Sequence, residues 1–462
     1  MSLDNLPVEW SISQLTKMIA SEGLISDGDW IESKDQDEKG DIRLIQLADI
    51  GDGDFRNKSN RYMNQDAFDR LNCVELKAND VLIARMPDPL GRACIFPKLP
   101  YKCVTVVDVC LIRTGEHSAI SPKLLKYWIN STQIRNLIAL NATGTTRKRI
   151  TRKKLESFDF PVPPLAEQQE IVRQLDIMLA QVEQIKARLD AIPAILKKFR
   201  QSVLADAVSG KLIEQDFTQL PLESFSKYLT DVRYGTSKKC MEDLIDAVPV
   251  LRIPNIANDG SLDFTNLKYA EFDSKEINQL QLVKGDLLLI RSNGSLDLVG
   301  KSAIAEQMDR IVLYAGYLIR LRFIDDVNPQ FIQYYLQSPQ TRQIIENIAR
   351  STSGVNNINS KEIASLKIYL PNIEVQNNVV FRVKQLLDFS SRIEVTVQSA
   401  QKRVNLLTQS ILAKAFSGEL TAEWREQHQD LITGVNSAES LLAKIQAERE
   451  ASKPVKKARK AN

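Results

Sequence analysis

An internal duplication constrains the fold of this chain more than any other feature of its sequence. The string "SVLADAVSGKL" at Ser202–Leu212 returns 208 positions later as "SILAKAFSGEL" at Ser410–Leu420, with seven of eleven residues identical. Upstream, "KANDVLIAR" matches "LVKGDLLLIR", which aligns Arg85 with Arg291. Because a fixed offset is the signature of repeated structural units, the 462-residue chain is predicted to contain two copies of one unit.

Each copy opens with a pattern typical of mixed helix and sheet. Short apolar runs bounded by Gly, Asp or Pro predict strands at Val81–Ala84, Val104–Ile112, Phe158–Val162, Leu287–Ile290, Ile311–Leu321 and Leu366–Leu370. Amphipathic stretches that begin with proline predict one helix at Pro122–Ile138 and its counterpart at Pro329–Ala349.

Each copy ends in a long stretch with an apolar heptad seam. The seam residues are Ile171, Leu175, Met178, Val182, Ile185, Leu189, Ile192, Leu196, Phe199 and Val203, then Val379, Val383, Leu386, Ser390, Ile393, Val397, Ala400, Val404, Leu407 and Ile411. Only Ser390 interrupts the pattern. Each helix could be buried in its own domain, but a narrow seam between polar residues favours mutual pairing as a coiled coil.

The predicted fold class is therefore α+β: two duplicated α+β domains, joined by two long helices that form an antiparallel coiled coil with pseudo-twofold symmetry. The predicted boundaries are 1–160 and 213–370 for the globular domains, 161–212 and 371–420 for the helices, and 421–462 for a helical segment with a basic tail. Two domains held apart by helices suit two separated patches on a linear partner, and DNA fits that description.

Composition narrows the function classes. No apolar run is long enough to span a membrane and no secretion signal is recognisable, so a cytoplasmic protein without a membrane partner is expected. The net charge of +3 neither demands nor excludes nucleic acid. Five cysteines without a CxxC pair, and only two histidines, make a metal site improbable; reduced, mostly buried thiols are expected instead.

The junction between domain and helix carries a family resemblance. The first long helix begins with "PVPPLAEQQEIV" at Pro161–Val172, the second with the weaker match "PNIEVQNNVV" at Pro371–Val380, and both helices close on "SG-L". This organisation resembles the specificity subunit of Type I restriction–modification enzymes over essentially the whole chain. The resemblance implies that each globular domain is a target-recognition domain that reads one half of a bipartite sequence in double-stranded DNA. It also implies that the helices set the spacing and dock two methyltransferase subunits.

By the same resemblance, the cofactors belong to partner subunits. The methyltransferase subunits would bind S-adenosylmethionine, and restriction/translocase subunits would use ATP and Mg. The chain itself has no Asn-Pro-Pro-aromatic motif, no GxGxxG and no GxxxxGK[ST], so we predict a non-catalytic subunit without a cofactor of its own. The "SG" pairs are interpreted as helix stops, with Gly210 and Gly418 in the left-handed conformation. Two alternatives are a coiled-coil scaffold without DNA reading and a stand-alone DNA methyltransferase or nuclease.

In the first copy, one basic run is the candidate DNA contact. Small, hydroxyl and cationic residues together suit a grip on phosphate. The candidates are Thr145, Thr146, Arg147, Lys148, Arg149, Arg152 and Lys153. The alternative is a solvated helix start, which Thr151 would cap.

In the second copy, the matching loop replaces basic residues by asparagines, which can pair with adenine or simply form a turn. The candidates there are Arg350, Ser351, Thr352, Ser353, Asn356 and Asn357. A loop around a hinge-like Gly235 adds Arg233, Tyr234, Thr236, Ser237, Lys238 and Lys239, and the loop after Leu287–Ile290 adds Ser292 and Asn293. Because the loops diverge while the helices match, the target is predicted to be asymmetric.

Overall fold

The computed structural model describes residues 5–145, 147–242, 247–350 and 354–451. It divides into two compact units, of which unit 1 comprises Met1–Arg188 and Ala400–Asn462 and unit 2 comprises Leu189–Ser399. Both long helices begin in one unit and end in the other.

Unit 1 contains fourteen strands and α-helices before the first long helix, within the described residues. They are β1 Ser11–Gln14, α1 Leu15–Met18, β2 Leu24–Asp27, β3 Ile42–Ile45, β4 Tyr62–Met63, α2 Gln65–Leu71, β5 Val81–Ala84, β6 Ala93–Ile95, β7 Cys103–Thr105, β8 Val109–Arg113, α3 Pro122–Ile129, α4 Thr132–Asn141, α5 Arg152–Glu156 and β9 Asp159–Val162. The long helix α6 then spans Leu165–Ser209.

Unit 2 repeats this order with small differences. Its elements are β10 Leu222–Ser224, β11 Leu229–Tyr234, β12 Val248–Leu251, β13 Lys268–Ala270, α7 Ser274–Leu280, β14 Leu287–Ile290, β15 Ser292–Asn293, β16 Ser302–Ile304, β17 Leu313–Tyr314, β18 Leu318–Phe323, α8 Pro329–Gln337, α9 Pro339–Ala349, β19 Asn356–Asn357, α10 Ser360–Ser365 and β20 Lys367–Tyr369. The second long helix α11 spans Ile373–Ser417, and α12 Ala422–Gln427 and α13 Ala438–Ala451 follow in unit 1.

The two units share one sheet plan. Unit 1 has a four-stranded sheet β2-β8-β5-β6, a three-stranded sheet β4-β3-β7 and the pair β1-β9, while unit 2 has β11-β18-β14-β16, β13-β12-β17 and β10-β20. In both three-stranded sheets one pair is parallel, β3 with β7 and β12 with β17. Unit 2 alone, among the described residues, adds the short pair β15-β19. The plan confirms the predicted duplication and the α+β fold class.

Two details of the prediction were wrong. The helices predicted at Pro122–Ile138 and Pro329–Ala349 are each two helices, because the hydroxyls of Ser131 and Ser338 accept hydrogen bonds from backbone amides of the next turn and start a new helix. The strands predicted at Val104–Ile112 and Ile311–Leu321 are likewise each two short strands around a turn.

A buried carboxylate explains one of the matching strings of the repeat. Asp80 receives two hydrogen bonds from Arg113, at 2.8 and 2.7 Å, and Asp286 receives two from Arg322, both at 2.7 Å. Each aspartate is almost fully buried at the start of a central strand. The duplicated Asp therefore pins the four-stranded sheet of its own unit by a bidentate ion pair.

Within each unit, the segments of the two long helices lie side by side and run in opposite directions. Each has 45 residues, which corresponds to about 68 Å. In unit 1 the first turn of α6 lies beside the end of α11, since Glu167 accepts a 2.7 Å hydrogen bond from Thr421. In unit 2 the last part of α6 lies beside the first part of α11, where Arg200 contacts Glu394 at 2.6 Å.

The predicted seam is largely buried. Of its residues only Ile185 and Leu407 are exposed, while the remainder are buried or half-buried. Ser390, the polar interruption, is fully buried, and its hydroxyl has no hydrogen-bond partner among the described residues. The seam therefore pairs the helices as predicted, with one polar residue inside it.

One glutamine at each junction fixes the start of the long helix. Gln168 donates to the carbonyls of Ala119 and Pro163 and accepts from the amide of Ser121. Its counterpart Gln376 donates to the carbonyls of Asp326 and Pro371 and accepts from the amide of Asn328. Both glutamines are buried. This clamp gives a physical reason for the repeated junction motif.

Glycine ends both long helices, as predicted. Gly210 has φ +87° and Gly418 has φ +81°. The amides of Gly210 and Gly418 donate to the carbonyls of Ala207 and Ala415, both at 3.4 Å, a bond typical of a left-handed helix stop. The "SGKL" string is therefore a helix end and not half of a phosphate loop.

The C-terminal segment packs beside the N-terminus within unit 1. The Glu167 carboxylate is fully buried and accepts from the Trp10 indole at 2.8 Å and from two nitrogens of Arg425, at 3.0 and 2.7 Å. Farther along, Arg449 of α13 donates to the carbonyl of Thr16. These contacts join the described part of the segment, which ends at residue 451, to the N-terminal region of the same unit.

Candidate nucleic-acid interface

Three predicted segments of unit 2 meet around Arg291, which follows the central strand β14. The carbon at the centre of its guanidinium lies 4.5 Å from the centre of the Tyr234 ring. Its Nε donates to Oδ1 of Asn357 at 3.2 Å. The fold thus brings together residues of β11 and β19 with the residue that follows β14, although 57 and 66 positions of the chain separate them.

The Tyr234 ring is itself fixed in place. Its hydroxyl donates to Oγ of Ser360 at 3.1 Å and accepts from the backbone amide of Ser360 at 2.9 Å. The tyrosine remains 37% exposed. We call Tyr234, Arg291, Asn357 and Ser360 the Arg291 cluster.

The guanidinium of Arg291 keeps capacity for a ligand. The residue is half-buried, and neither of its terminal nitrogens hydrogen-bonds to a described residue. The ring stack and the Nε hydrogen bond hold its plane. A fixed guanidinium with two available donors is suited to bidentate recognition of an acceptor pair.

The short pair β15-β19 positions the predicted polar residues next to this cluster. Ser292 pairs with Asn357, and Asn293 pairs with Asn356. The amide nitrogen of Asn356 donates to the carbonyl of Gly294 at 3.0 Å, and Oδ1 of Asn293 accepts from a backbone amide within its own turn. These two asparagines therefore shape the loop, whereas Asn357 orients Arg291.

Beside the cluster lies a groove of about 600 Å³ in unit 2. Its lining includes Thr236, Ser237, Lys238, Arg252, Lys268 and Tyr317. Tyr317 is 63% exposed, and its carbonyl accepts from the amide of Arg291 at 2.9 Å. Lys238 is tied down by Glu276 at 2.7 Å and by the Phe272 ring at 4.8 Å. The groove therefore offers aromatic and cationic groups on one surface.

The remaining candidates of unit 2 have other surroundings. Arg233 pairs with Asp231 at 3.3 Å, and Asp231 also binds Arg320. Burial opposes ionisation of Asp231, yet the two arginines outweigh it and hold the pKa of this carboxyl below its usual value. Gly235 leaves no room for a side chain, because a Cβ there would lie 2.2 Å from the carbonyl oxygen of Tyr314.

Other predicted positions make no hydrogen bond or ion pair with described residues through their side chains. These exposed residues are Ser237, Lys239 and Arg350. Ser351, Thr352 and Ser353 lie outside the described residues.

The basic run of unit 1 divides into internal and exposed members. Arg149 donates to the carbonyl of Val107 at 3.0 Å and faces Asp108 at 3.4 Å. Arg152 donates to the carbonyl of Ile25 at 2.8 Å, and Thr151 caps helix α5 as the alternative interpretation proposed. The exposed members are Thr145, Arg147, Lys148 and Lys153, and Thr146 lies outside the described residues. Among the described candidates of this run, these exposed members keep their side chains available for phosphate.

Equivalent positions of the two units can be assigned from the shared sheet plan. Strands β2 and β11 occupy the same edge, and their last residues are Asp27 and Tyr234. The central strands β5 and β14 are followed by Arg85 and Arg291. In unit 1 the Arg85 guanidinium binds the Asp27 carboxylate and is 6% exposed. The same two positions thus form a closed ion pair in unit 1 and an open ring stack in unit 2.

Two neighbouring positions differ in the same sense. The amide of Arg85 donates to the carbonyl of Asp108 at 2.9 Å, so Asp108 corresponds to Tyr317. The carbonyl of Arg85 accepts a hydrogen bond from the amide of Ile150, and the carbonyl of Arg291 accepts one from the amide of Ile358. The residues before these amides, Arg149 in unit 1 and Asn357 in unit 2, therefore correspond as well. The two positions beside the arginine are therefore aspartates in unit 1, Asp27 and Asp108, and tyrosines in unit 2, Tyr234 and Tyr317.

Sequence reasoning missed Arg291 and Tyr317. The repeat alignment already paired Arg291 with Arg85. Only the structure shows that the Arg85 guanidinium is hydrogen-bonded inside unit 1, whereas the Arg291 guanidinium stacks on Tyr234 and keeps its terminal nitrogens available. Tyr317 gave no signal, because it lies inside a stretch predicted as a single strand.

The described residues contain no group of three or more His, Cys, Asp or Glu residues that could hold a metal ion. The thiols of Cys73, Cys94, Cys103 and Cys110 are buried, as predicted, and burial raises the pKa of Cys94 to about 12. No helix within the described ranges has both the length and the apolar character needed to cross a membrane.

The comparisons identify the family. The model of the Type I restriction modification DNA specificity domain matches residues 7–194 and again residues 235–400. This chain belongs to the family of Type I restriction–modification specificity subunits.

Curated relatives agree with the family match. The chain is 40% identical over 369 residues to the Type I restriction enzyme EcoKI specificity subunit of Escherichia coli K12, covering 78% of this chain and 79% of the relative. It is 37% identical over 370 residues to the StySPI specificity subunit of Salmonella potsdam, covering 79% of each.

Solved structures share the fold. The HsdS subunit from Thermoanaerobacter tengcongensis matches with a TM-score of 0.62 at 18% identity, over 90% of this chain and 98% of that chain. A chain from a study of complex assembly and conformational transition of the type I R-M system matches with a TM-score of 0.66 at 18% identity, over 90% and 99%.

Proposed function

We propose that this chain specifies the DNA target of a Type I restriction–modification complex, with each unit reading one half of an asymmetric bipartite site. One observation carries the proposal: equivalent positions of the two units hold different chemistry on the same frame. Asp27 and Arg85 close on each other in unit 1, whereas Tyr234 and Arg291 form an open stack in unit 2. Two readers that share a scaffold but differ at their surfaces are expected to select different half-sites.

The chain is proposed to act without catalysis of its own. Its sequence has neither the Asn-Pro-Pro-aromatic motif of adenine methyltransferases nor a glycine-rich cofactor loop. Methyltransferase subunits would therefore supply S-adenosylmethionine and extrude the target adenine, and restriction/translocase subunits would supply ATP and Mg chemistry. The net charge of only +3 fits a protein whose partners provide much of the phosphate contact.

The long helices are proposed to set the gap between half-sites and to dock two methyltransferase subunits. Support comes from their 45-residue length and their antiparallel pairing, and from the glutamine clamp that fixes each helix start to its own domain. A helix rigidly joined to the domain before it can transmit a fixed distance, which a flexible linker cannot.

The test is co-expression with the cognate methyltransferase subunit, followed by genome-wide mapping of methylated adenines. The proposal expects a split motif with a constant gap and two different halves. A contiguous motif would refute reading by two units. In a second arm, the purified chain with DNA and S-adenosylmethionine should transfer no methyl group, and transfer would show that the chain is itself an enzyme.

Salt dependence distinguishes the proposal from a scaffold without a DNA role. The complex should lose affinity for its target steeply as salt rises, because phosphate contacts release counterions. Loss of this chain should abolish that specific binding. A complex that binds the target equally well without the chain would favour the scaffold.

A further inference from the structure

We infer that Arg291 contacts a guanine in the half-site read by unit 2, and that Tyr234 is the positioning residue that holds its guanidinium for this contact. The inference rests on the proposed function and assigns one residue to one kind of base.

The geometry of the donors favours a base edge. Nε of Arg291 is occupied by Asn357, while the two terminal nitrogens have no partner among the described residues. Guanine presents two acceptors, N7 and O6, side by side in the major groove, and paired arginine donors match them. The available part of Arg291 is therefore the part that this contact uses.

The surroundings reduce the cost of ordering the side chain. The guanidinium rests 4.5 Å from the Tyr234 ring centre, and the tyrosine hydroxyl is held by two bonds to Ser360. An arginine that is ordered before binding loses less conformational entropy when it meets its ligand. An arginine that only neutralises phosphate does not need residues that hold its guanidinium in one orientation.

The equivalent arginine of unit 1, Arg85, is not available to a base. Arg85 donates through Nε to the carbonyl of Ile150 at 3.1 Å and through Nη1 to Asp27 and the carbonyl of Val107. Its charge is neutralised, and its side chain is buried. Guanine reading through this position is therefore expected of unit 2 and not of unit 1.

The groove next to the cluster supports an approach of DNA to this face. Tyr317 is exposed, and its backbone carbonyl accepts a hydrogen bond from the amide of Arg291. The groove lining also carries Arg252 and Lys268. Cations and aromatic rings beside a base-reading arginine are the groups that bind backbone and bases of nucleic acid.

The experiment maps methylated adenines for variants of the full chain co-expressed with the methyltransferase subunit. Arg291→Gln and Arg291→Lys should relax one guanine position in one half-site, with discrimination there reduced roughly 5- to 150-fold, the range for a bidentate arginine contact. The other half-site and the gap should be unchanged. Arg310→Gln, at an exposed arginine of unit 2 without an ion pair among described residues, should keep the wild-type motif.

Tyr234 variants test the positioning role. Tyr234→Leu removes the ring and should relax the same guanine position as Arg291→Gln. Tyr234→Phe keeps the ring but loses both hydrogen bonds to Ser360, so it should relax the guanine preference less than Tyr234→Leu does. A merely structural role would lower methylation at every site and leave the preference intact, so the base preference is the deciding readout.

Several results would overturn the inference while the proposed function stands. A split wild-type motif without guanine in the half-site assigned to unit 2 would do so. An unchanged motif in both Arg291 variants would do so, as would an equal loss at all sites with a weaker dependence of affinity on salt, the result expected when a phosphate contact is removed. A contiguous or absent wild-type motif would instead refute the proposed function itself. Recovery of each variant in the assembled complex confirms folding.

Discussion

The guanidinium of Arg291 lies 4.5 Å from the centre of the Tyr234 ring, at the two positions where unit 1 pairs Arg85 with Asp27. The duplicated frame thus carries an ion pair in one copy and a ring stack in the other. The ion pair of unit 1 is part-buried and is expected to stabilise the fold, whereas the ring stack of unit 2 is open and is expected to contact DNA.

Replacing Asp27 should therefore destabilise unit 1. Asp27→Ala leaves the buried Arg85 guanidinium without its carboxylate, and the part-exposure of Asp27 limits the expected loss to about 1–3 kcal/mol. Tyr234→Leu removes a partly exposed cation–π contact and two solvent-exposed hydrogen bonds to Ser360, and should cost less, about 1 kcal/mol. Urea denaturation measures both. An equal or reversed order of the two losses would contradict the division into a structural pair and a recognition pair.

A second prediction concerns the network that joins the C-terminal segment to the N-terminal region. Arg425→Ala leaves the fully buried Glu167 carboxylate without its cation and should lower the unfolding free energy by about 3–5 kcal/mol. The double variant Glu167→Leu with Arg425→Leu removes both charges and should recover much of that loss. Thermal or urea unfolding checks this. Additive losses in the double variant would show that the two residues do not act as a pair.

The junction glutamines allow a matched comparison along one helix. Gln168→Leu and Gln376→Leu each leave two backbone carbonyls and one backbone amide without a hydrogen-bond partner. Each substitution should therefore lower the free energy of unfolding by at least about 2 kcal/mol. The neighbouring Gln169 is exposed, and Gln169→Leu should change stability by no more than about 0.5 kcal/mol. Similar effects at Gln168 and Gln169 would mean that the clamp does not stabilise the helix start.

The thiols should react in an order set by burial. Burial raises the pKa of Cys73, Cys94 and Cys110 to about 12 and that of Cys103 to about 11, so almost no thiolate is present at pH 8. Cys240 is only half-buried and should be alkylated first. Mass spectrometry after brief iodoacetamide treatment gives the order, with urea-unfolded protein as the control in which all five react. Faster labelling of Cys94 than of Cys240 in the native chain would contradict it.

Raised thiol pKa values also set the sign of a pH dependence. The native state keeps these protons to a higher pH than the unfolded state does, so the stability that the neutral thiols contribute is complete below pH 8.5. It is lost as pH rises from there towards 12.

Much of the fold was predictable because the repeat reports on buried structure. Asp80 and Asp286 survive in both copies since each binds an arginine inside its sheet, and Gly210 and Gly418 survive since only glycine readily adopts the left-handed helix stop. Positions under the same physical demand keep the same residue type. Alignment of the two halves finds them without a structure.

The candidate site was less predictable, since its members are brought together by tertiary contacts. The sequence singled out Tyr234 and Asn357 by residue type, but nothing local revealed that both contact Arg291. The basic run was the strongest charge signal, yet Arg149 and Arg152 make internal bonds. Charge density alone does not distinguish a side chain that faces solvent from one that binds a backbone carbonyl.

Insertion of one heptad into each long helix, at the boundary between the units, directly tests whether the helices set the gap between the two half-sites. Seven residues inserted after Arg188 in α6 and seven after Ser399 in α11 keep the seam in register and lengthen the paired helices by about 10 Å, or roughly three base pairs. A heptad added at the end of α13 serves as the control. Mapping of methylated adenines should show both half-sites unchanged with a gap wider by about three base pairs. An unchanged gap, or altered bases in either half-site, would contradict reading by two units whose spacing the helices set.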